Sequence, residues 1–441
     1  MKKKITIYFL LALVCVGLQS CLFQEEDYFD DSSANRASAD VARCADILKS
    51  APNGWVMEYY LGENYLLGGF SLYCLFDGEK VTMASQLYGK GQEAVSSLYR
   101  VISEQSTMLT FDTYNPLLHV FGAPNGSMSS DPNGNLGGDY EFIIMEASAD
   151  RIELKGKKYS NRIIMTPLPE TITWKKYMGT LSEMDNNLYQ YTYDIYIDGL
   201  YSGTMQRSNY SFQTTYYDEI GGIHTRQTPF MISTEGLRLR EPIMIDGITI
   251  QHFAWNTQKE VLVGTDKGAE KVELRGVNPE GYVEYADFIG DYVMSYYTYD
   301  DTGRQLIEKT RAVSLSQNEQ GESYLLKGAV DGYSLPVSYD RTNGILMLNA
   351  GELVAEKSGQ YLYLTACDIY TGMLTKSNGI GLFSYVYPGQ ETLTFSLVDN
   401  GRWGWAQSNG FFLGVFDSKK DNAGYITYIG EVIAGAIFIK E

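Results

Sequence analysis

The chain has few of the residues from which metal centres, disulfide scaffolds and nucleic-acid sites are built. It contains 3 histidines, 5 cysteines and 11 prolines in 441 residues, and 54 acidic side chains outnumber 35 lysines and arginines. Affinity for nucleic acid comes largely from basic side chains that neutralise phosphates, so a formal net charge of −19 argues against that partner. The same charge argues against electrostatic attachment to an anionic membrane surface.

Motifs for common catalytic and cofactor chemistry are also missing. His119, His224 and His252 lie far apart, and none belongs to the His-x-x-x-His pair of a zinc site. The sequence has no Gly-x-Ser-x-Gly elbow and no Gly-x-x-x-x-Gly-Lys phosphate loop. We therefore predict no metal and no cofactor, and favour a binding protein over an enzyme.

The most informative feature that is present lies at the N-terminus. Lys2, Lys3 and Lys4 precede an apolar run over residues 5–18, which Gln19 and Ser20 connect to Cys21. A basic start and a short apolar core are typical of a secretory signal peptide, and the run is short for a membrane span. A Cys directly after the small residue resembles a bacterial lipobox. We predict a signal peptide over residues 1–20 and lipidation of Cys21.

Residues 21–31 are predicted to be a lipidated tether. Gln24 to Asp27 form an acidic cluster that resembles the surface-export signal of Bacteroidota lipoproteins, which implies the outer face of the outer membrane. A solvated acidic spacer is the alternative interpretation. Acyl chains contribute about 0.8 kcal/mol per buried methylene, so several chains make a stable anchor. Loss of the three signal lysines would take the mature net charge to about −22.

The body of the chain carries the pattern of antiparallel β-structure. It contains 36 tyrosines and 44 glycines, and short aromatic and β-branched runs are separated by turn pairs such as Asp77-Gly78. We predict a mainly β fold of meander or barrel-like, lipocalin-like units. Small and apolar residues recur every three or four positions from Ala34 to Leu48, which predicts one N-terminal helix capped by Asp31, Ser32 or Ser33.

The predicted units follow from the turn and breaker residues. After the signal and tether, we expect an N-terminal helix plus barrel-like domain over 32–169, closed by Pro167-Leu168-Pro169. A smaller β unit over 170–280 begins with a possible helix at 174–188, and a C-terminal barrel-like domain covers 281–441. The pattern aromatic-Val-Met-x-Tyr-Tyr occurs at both 55–60 and 292–297. A match this short also arises by chance, so a shared design of the two end units stays open.

Three cysteines remain in the mature sequence. Cys44, Cys74 and Cys367 each lie in an apolar pattern, which favours buried small hydrophobes over a disulfide. An odd set allows at most one intramolecular disulfide, and the sequence leaves the redox state open.

The N-terminal third resembles a known family. The segments Ser32-Ser33-Ala34-Asn35-Arg36, Ala51-Pro52-Asn53-Gly54-Trp55, residues 109–119, Gly137-Gly138-Asp139-Tyr140-Glu141-Phe142 and Leu154-Lys155-Gly156-Lys157-Lys158 resemble the Bacteroidota lipoprotein family catalogued as domain of unknown function 4302. The resemblance is good over about 25–170 and loose beyond it. It implies an accessory lipoprotein encoded near outer-membrane transporters of the starch-utilisation type. It carries no catalytic residues.

Four aromatic or histidine side chains are candidate ligand-binding residues. His119 could orient a ligand with Asp112 and Tyr114, although a lone His in an apolar strand is more often a hydrogen-bonded core group. Trp403 and Trp405 could form a stacking platform for a sugar. Their alternation also fits one face of a strand in a barrel core.

The loop over residues 131–139 partly resembles a calcium-binding loop. Oxygen-bearing side chains alternate from Asp131, but Leu136 stands where a calcium loop has Gly, and Phe142 replaces the bidentate Glu. An ordinary Asx- and Gly-rich turn is the alternative.

Together these features predict a surface-exposed, non-enzymatic lipoprotein that captures a glycan or peptide for an outer-membrane nutrient-uptake system. Its expected partners are the outer membrane, through the anchor, a transporter–lipoprotein complex and the captured ligand. A surface hydrolase with an unrecognised site and a structural or adhesive module are the alternatives.

Overall fold

The computed structural model describes residues 32–123, 135–217, 220–420 and 422–441. The predicted signal peptide, Cys21, the acidic tether and residues 131–134 of the calcium-like loop lie outside these ranges. Over the described ranges, no helix is both long and apolar enough to cross a membrane. The chain folds mainly as antiparallel β-sheet in three closed rings, so the predicted fold class is confirmed.

The N-terminal helix forms where the sequence predicts it. Helix α1 (Ser33–Lys49) begins at Ser32, whose hydroxyl accepts a hydrogen bond from the Asn35 N–H at 3.2 Å. This side-chain cap satisfies one of the free N–H groups of the first turn. Cys44 and Leu48 are buried on the helix face that meets the first barrel.

The first barrel closes eight antiparallel strands in chain order, and β8 pairs back with β1. Connections of three to eight residues join all consecutive strands except β5 and β6, between which the short helix α2 (Pro116–His119) lies. The strands are β1 (Trp55–Leu61), β2 (Gly68–Phe76), β3 (Lys80–Ser85), β4 (Ala94–Ser103), β5 (Thr107–Phe111), β6 (Glu141–Ala147), β7 (Ile152–Gly156) and β8 (Arg162–Pro167).

The second barrel follows helix α3 (Trp174–Asn187), which is capped by the Thr173 hydroxyl. Its eight strands also close in chain order, because β16 pairs back with β9. They are β9 (Thr192–Ile197), β10 (Leu200–Ser208), β11 (Ser211–Tyr217), β12 (Ile223–Ile232), β13 (Gly236–Ile245), β14 (Ile248–Asn256), β15 (Val261–Gly264) and β16 (Val272–Val277).

The third ring follows the short helix α4 (Tyr285–Phe288) and belongs to a 12-stranded sheet. Eight strands close the ring through the β17–β28 pairing, while β27, β23 and β22 continue from β28 and β24 pairs with β23. They are β17 (Gly290–Tyr299), β18 (Leu306–Glu319), β19 (Ser323–Val330), β20 (Tyr333–Asp340), β21 (Ile345–Asn349), β22 (Leu353–Lys357), β23 (Gln360–Asp368), β24 (Met373–Thr375), β25 (Gly381–Val386), β26 (Thr394–Asp399), β27 (Gly410–Phe416) and β28 (Tyr425–Lys440).

The repeated aromatic-Val-Met-x-Tyr-Tyr pattern marks the first strand of two rings, β1 and β17. Trp55 Nε1 donates a hydrogen bond to the Leu48 carbonyl of α1 at 2.8 Å. In the same way, the Tyr292 hydroxyl donates to the Phe288 carbonyl of α4 at 2.6 Å. In both rings the first aromatic side chain therefore attaches the preceding helix to the barrel wall. The inward, buried positions match as well: Trp55, Met57 and Tyr59 in β1, and Tyr292, Met294 and Tyr296 in β17.

The three rings do not share one core. The buried side chains of the first two barrels form a single continuous apolar cluster, whereas the third ring has its own. Strand β2 lies so close to the start of β11 that a Cβ at Gly68 would overlap the Tyr210 carbonyl, and Gly68 also has a φ of +81°. Glycine is the residue that tolerates both the contact and the positive φ. The first two barrels thus form one packed body beside the third.

Candidate functional site

An open cleft of about 1000 Å³ lies where the three barrels meet. Five segments line it: the β3–β4 connection at 86–90, the end of α3 with residues 182–191, the β10–β11 turn at 207–210, the β18–β19 turn at 320–322 and the β20–β21 turn at 339–342. Because the barrel interiors are filled by their own side chains, a ligand of more than a few atoms would bind between barrels.

The floor of the cleft is a charged network of Arg207, Asp185 and Tyr210. Arg207 Nη2 lies 2.9 Å from Asp185 Oδ1, and the Tyr210 hydroxyl donates to the other carboxylate oxygen. Arg207 also donates to two carbonyls, that of Asn209 at 2.9 Å and that of Leu188, the C-cap of α3. A guanidinium at a helix C-terminus interacts favourably with the exposed carbonyls there. The network therefore fixes the end of α3 to the second barrel.

The surroundings of Arg207 and Tyr210 raise the pKa of both side chains. Burial opposes the charge of Arg207, but the carboxylate of Asp185 more than compensates, so the pKa of Arg207 is raised. The pKa of Tyr210 is also raised, first by burial and then by the negative charge of Asp185. The cleft floor thus presents a charged guanidinium and a neutral phenol near neutral pH.

Gln86 adds an unsatisfied amide beside the floor. The residue is only 4% exposed, and neither its Oε1 nor its Nε2 has a hydrogen-bond partner within the described residues, although the Tyr210 hydroxyl lies nearby. A buried polar group without a partner costs about 1–3 kcal/mol. Such a group is uncommon in native proteins and is consistent with a polar ligand or water at this place.

The third barrel supplies the opposite wall through Tyr339 and Arg341. The Tyr339 hydroxyl donates to the Val283 carbonyl at 2.7 Å, and burial raises the pKa of Tyr339 to about 12. Arg341 reaches the C-terminal end of α3, where its Cζ lies 4.0 Å from the centre of the Tyr189 ring. Its Nη1 donates to the Asn186 carbonyl at 3.1 Å.

A salt bridge at the cleft rim connects the first and third barrels. Lys90 Nζ lies 2.8 Å from one carboxylate oxygen of Glu322, and both side chains are about half or more exposed. Lys90 lowers the pKa of Glu322 through this contact. An exposed pair of this kind contributes at most about 1 kcal/mol to stability. The third barrel is therefore held across the cleft by polar contacts rather than by a shared apolar core.

The structure brings two predicted residues, Tyr114 and His119, together outside this cleft. His119 ends helix α2 and does not lie in a strand, because Pro116 and the Asn115 side-chain cap begin a helical turn there. Its ring stacks on Tyr140 at 4.7 Å and lies 5.2 Å from Tyr114, which is largely exposed. Burial lowers the pKa of His119. Asp112, the third member of the predicted group, instead pairs with Arg100.

The prediction that Trp403 and Trp405 lie on one face of a strand is wrong. These residues form a tight turn, in which the Trp405 N–H donates to the Trp403 carbonyl at 2.8 Å and Gly404 has a φ of +69°. Trp403 is 9% exposed and Trp405 is 76% exposed. A Gly between two aromatic residues therefore reverses the chain here, and the two rings do not form one platform.

The predicted cysteine environment is confirmed. Cys44, Cys74 and Cys367 are free and buried, and burial raises the pKa of each thiol. Over the described ranges, no three His, Cys, Asp or Glu side chains are grouped as metal ligands would be. In the calcium-like loop, the Asp139 carboxylate accepts backbone N–H bonds from Lys158 at 2.8 Å and Tyr159 at 3.0 Å. Asp139 thus stabilises a backbone turn.

Comparison with known protein families assigns the chain to one of them. The family described as a domain of unknown function, DUF4302, matches residues 25–257, which is more than half of the sequence. The chain belongs to the DUF4302 family. A second domain of unknown function, DUF4987, matches residues 265–413, which include the last strand of the second barrel and most of the third ring. No curated protein matches this DUF4302 member.

The cleft residues were not accessible to sequence reasoning. Gln86, Asp185, Arg207 and Arg341 belong to four separate segments and are up to 255 positions apart in the chain. None forms a local motif: Asp185 lies in a helix, Arg207 in a strand, and Gln86 and Arg341 in turns. The one local signal is the Tyr189-Gln190-Tyr191 sequence directly after a predicted helix, where exposed aromatic residues are concentrated.

The floor network predicts a large stability difference between two acidic substitutions. Asp185→Asn leaves a guanidinium that is 15% exposed without its carboxylate, so we expect the free energy of unfolding to fall by about 3 kcal/mol. Asp46→Asn removes an exposed pair with Lys49 and should change it by less than about 0.5 kcal/mol. Urea unfolding followed by tryptophan fluorescence measures both. Equal losses would contradict the assigned role of Asp185.

Proposed function

We propose that this protein is a lipid-anchored cell-surface binding protein that captures a glycan in the three-barrel cleft for an outer-membrane nutrient-uptake system. The observation that carries the proposal is the lining of the cleft. Besides five charged side chains, four tyrosines and six neutral hydrogen-bonding side chains line it. The tyrosines and the neutral hydrogen-bonding residues are Tyr189, Tyr191, Tyr210, Tyr339, Gln86, Ser182, Asn186, Asn209, Gln320 and Thr342.

This lining suits a sugar better than a peptide. A sugar ring has an apolar face that packs on an aromatic ring, and its hydroxyl groups need donors and acceptors around the edge. Peptide recognition commonly uses a free sheet edge or apolar pockets for side chains. The aliphatic lining consists of Leu87 and Leu188, and Leu188 is buried. The chemistry of the cleft therefore favours the glycan among the two ligand classes expected from the sequence.

The carboxylates of the cleft support binding rather than hydrolysis. Asp185 is engaged by Arg207 and Tyr210, and Glu322 is paired with Lys90. A glycosidase needs one carboxyl group with a raised pKa to protonate the leaving group. The pKa of Glu322 is lowered instead, because Lys90 stabilises its charged form.

The cellular location in this proposal comes from the N-terminal sequence. The lipobox-like Cys21 and the acidic run after it suit a protein attached to the outer membrane and facing outward. Helix α1 begins 12 residues after Cys21, so a short tether would hold the barrels near the membrane surface. A Bacteroidota source and a transporter–lipoprotein complex as partner belong to the same proposal.

Glycan capture is tested with the mature protein on a glycan array, followed by calorimetry with the oligosaccharides that bind. We expect Tyr191→Ala to weaken binding about tenfold, because an exposed ring that packs on a sugar contributes about 1–2 kcal/mol. Tyr201→Ala is the matched control: Tyr191 is 59% exposed and Tyr201 is 52% exposed, and they lie at opposite ends of the second barrel. Absence of any glycan binding, or equal losses in both variants, would overturn the proposal.

The anchor is tested independently of the cleft. Cys21→Ser should leave the protein without lipid label and release it from the membrane fraction, because the residue that carries the acyl chains is gone. Metabolic labelling with an alkyne fatty acid measures the lipid, and protease treatment of intact cells measures surface exposure. Cys44→Ser, which changes a buried thiol, is the control that should keep its label. Lipid labelling of the Cys21→Ser protein would contradict the anchor.

A further inference from the structure

The charges of the cleft differ in sign from those of the whole chain. The protein carries a net charge of −19, yet three cationic and two anionic side chains line the cleft. Two of the cations are matched: Lys90 pairs with Glu322, and Arg207 pairs with Asp185. Arg341 is the third cation, and no described carboxylate lies within 4.0 Å of it. Among the described residues, Arg341 is therefore the cleft cation without a carboxylate partner.

Arg341 is held in a fixed position by the residues around it. Its side chain lies on the ring of Tyr189 at 4.0 Å, and the Asn186 carbonyl accepts from Nη1. Its own carbonyl accepts a hydrogen bond from the Tyr282 hydroxyl at 2.8 Å. The Asp340 carboxylate closes the turn by accepting from the Thr342 N–H at 2.9 Å. A group ordered before binding loses less conformational entropy when a ligand arrives.

The free donors of Arg341 match one kind of ligand group. A guanidinium has five N–H donors in a planar fork, and one of them is used by Asn186. The fork geometry binds a carboxylate through two parallel hydrogen bonds, which an ammonium group does not reproduce. Stacking on Tyr189 occupies the face of the guanidinium, and the Asn186 carbonyl is the one acceptor that it has among the described residues.

We propose, on the basis of the proposed function, that the cleft selects glycans with a carboxylate-bearing sugar and that Arg341 binds this carboxylate. The sugar ring would lie against the exposed Tyr191 ring, and its hydroxyl groups would meet neutral residues such as Gln86 and Asn209. Arg207 holds the floor in place and is occupied by the protein itself. The specificity-determining residue is Arg341.

The test compares acidic oligosaccharides with their neutral counterparts of identical length. Tetragalacturonate, hyaluronan tetrasaccharide and sialyllactose are each titrated into the mature protein by calorimetry, beside their methyl esters. At least one acid should bind about tenfold or more tightly than its ester, since a charge-assisted contact contributes more than a neutral one. A sulfated neutral tetrasaccharide shows whether any anion suffices. Binding of the sulfate as tightly as the best acid overturns the carboxylate assignment.

Three variants connect the preference with Arg341. Arg341→Gln should reduce the affinity for the acid about tenfold and leave the ester unchanged, and Arg341→Lys should recover only part of the loss. Arg304→Gln is the control: Arg304 is exposed in the β17–β18 turn, and the 14-residue strand β18 separates it from the cleft-lining turn at 320–322. Circular dichroism and thermal unfolding confirm that each variant is folded.

Failure of this inference differs from failure of glycan capture. If esters and neutral sugars bind as tightly as acids, or if Arg341→Gln keeps the preference, the cleft binds glycans and the role of Arg341 is wrong. If no acid, ester or neutral sugar binds, the proposed function itself falls together with this inference.

Discussion

The arrangement of the cleft depends on the buried ion pair between Arg207 and Asp185. Arg207 lies in the second barrel, whereas Asp185 lies in α3, the helix between the first two barrels. The Arg207 guanidinium also caps the C-terminus of α3, because it donates a hydrogen bond to the Leu188 carbonyl. The next residue is Tyr189, on which Arg341 of the third barrel stacks. This ion pair thus fixes the end of α3 and, through Tyr189, the contact with the third barrel. Its loss would leave a largely buried charge unpaired.

Closed sheets explain why the candidate site lies between domains of the chain. A closed ring has no free edges, and here each interior is occupied by large side chains such as Trp55 and Tyr292. The first two rings share one apolar core, so their relative position is rigidly defined by packing. The third ring is attached to them by the Lys90–Glu322 salt bridge and by the contacts of Arg341. These contacts are polar, and a ligand in the cleft can add further polar contacts between the two bodies. The proposed glycan would therefore bind both bodies at once.

Local sequence patterns predict single helices and strands of this protein, but they do not predict the cleft. The helix that begins at Ser33 and the strand that begins at Trp55 can be predicted from the sequence. The spacing of apolar residues and the turn residues between them are local signals that a short stretch of sequence contains. Strand β10 is not predicted by these patterns, because Gly203 and its polar neighbours weaken the alternation of apolar and polar residues. The alternation of Trp403 and Trp405 suggests a strand, but the positive φ of Gly404 reverses the chain. The cleft itself comes from residues as distant as Gln86 and Arg341, which only the packing of three rings brings together.

Hydrogen–deuterium exchange with and without a bound oligosaccharide tests the account most directly, because it locates the ligand along the whole chain. The account predicts slower exchange in the segments 86–90, 186–191, 207–210 and 339–342, which line the cleft. The distant hairpin tip at 198–199 should not change. Protection centred on Tyr114 and His119, with none in the four cleft segments, would contradict the claim that the ligand binds where the three barrels meet.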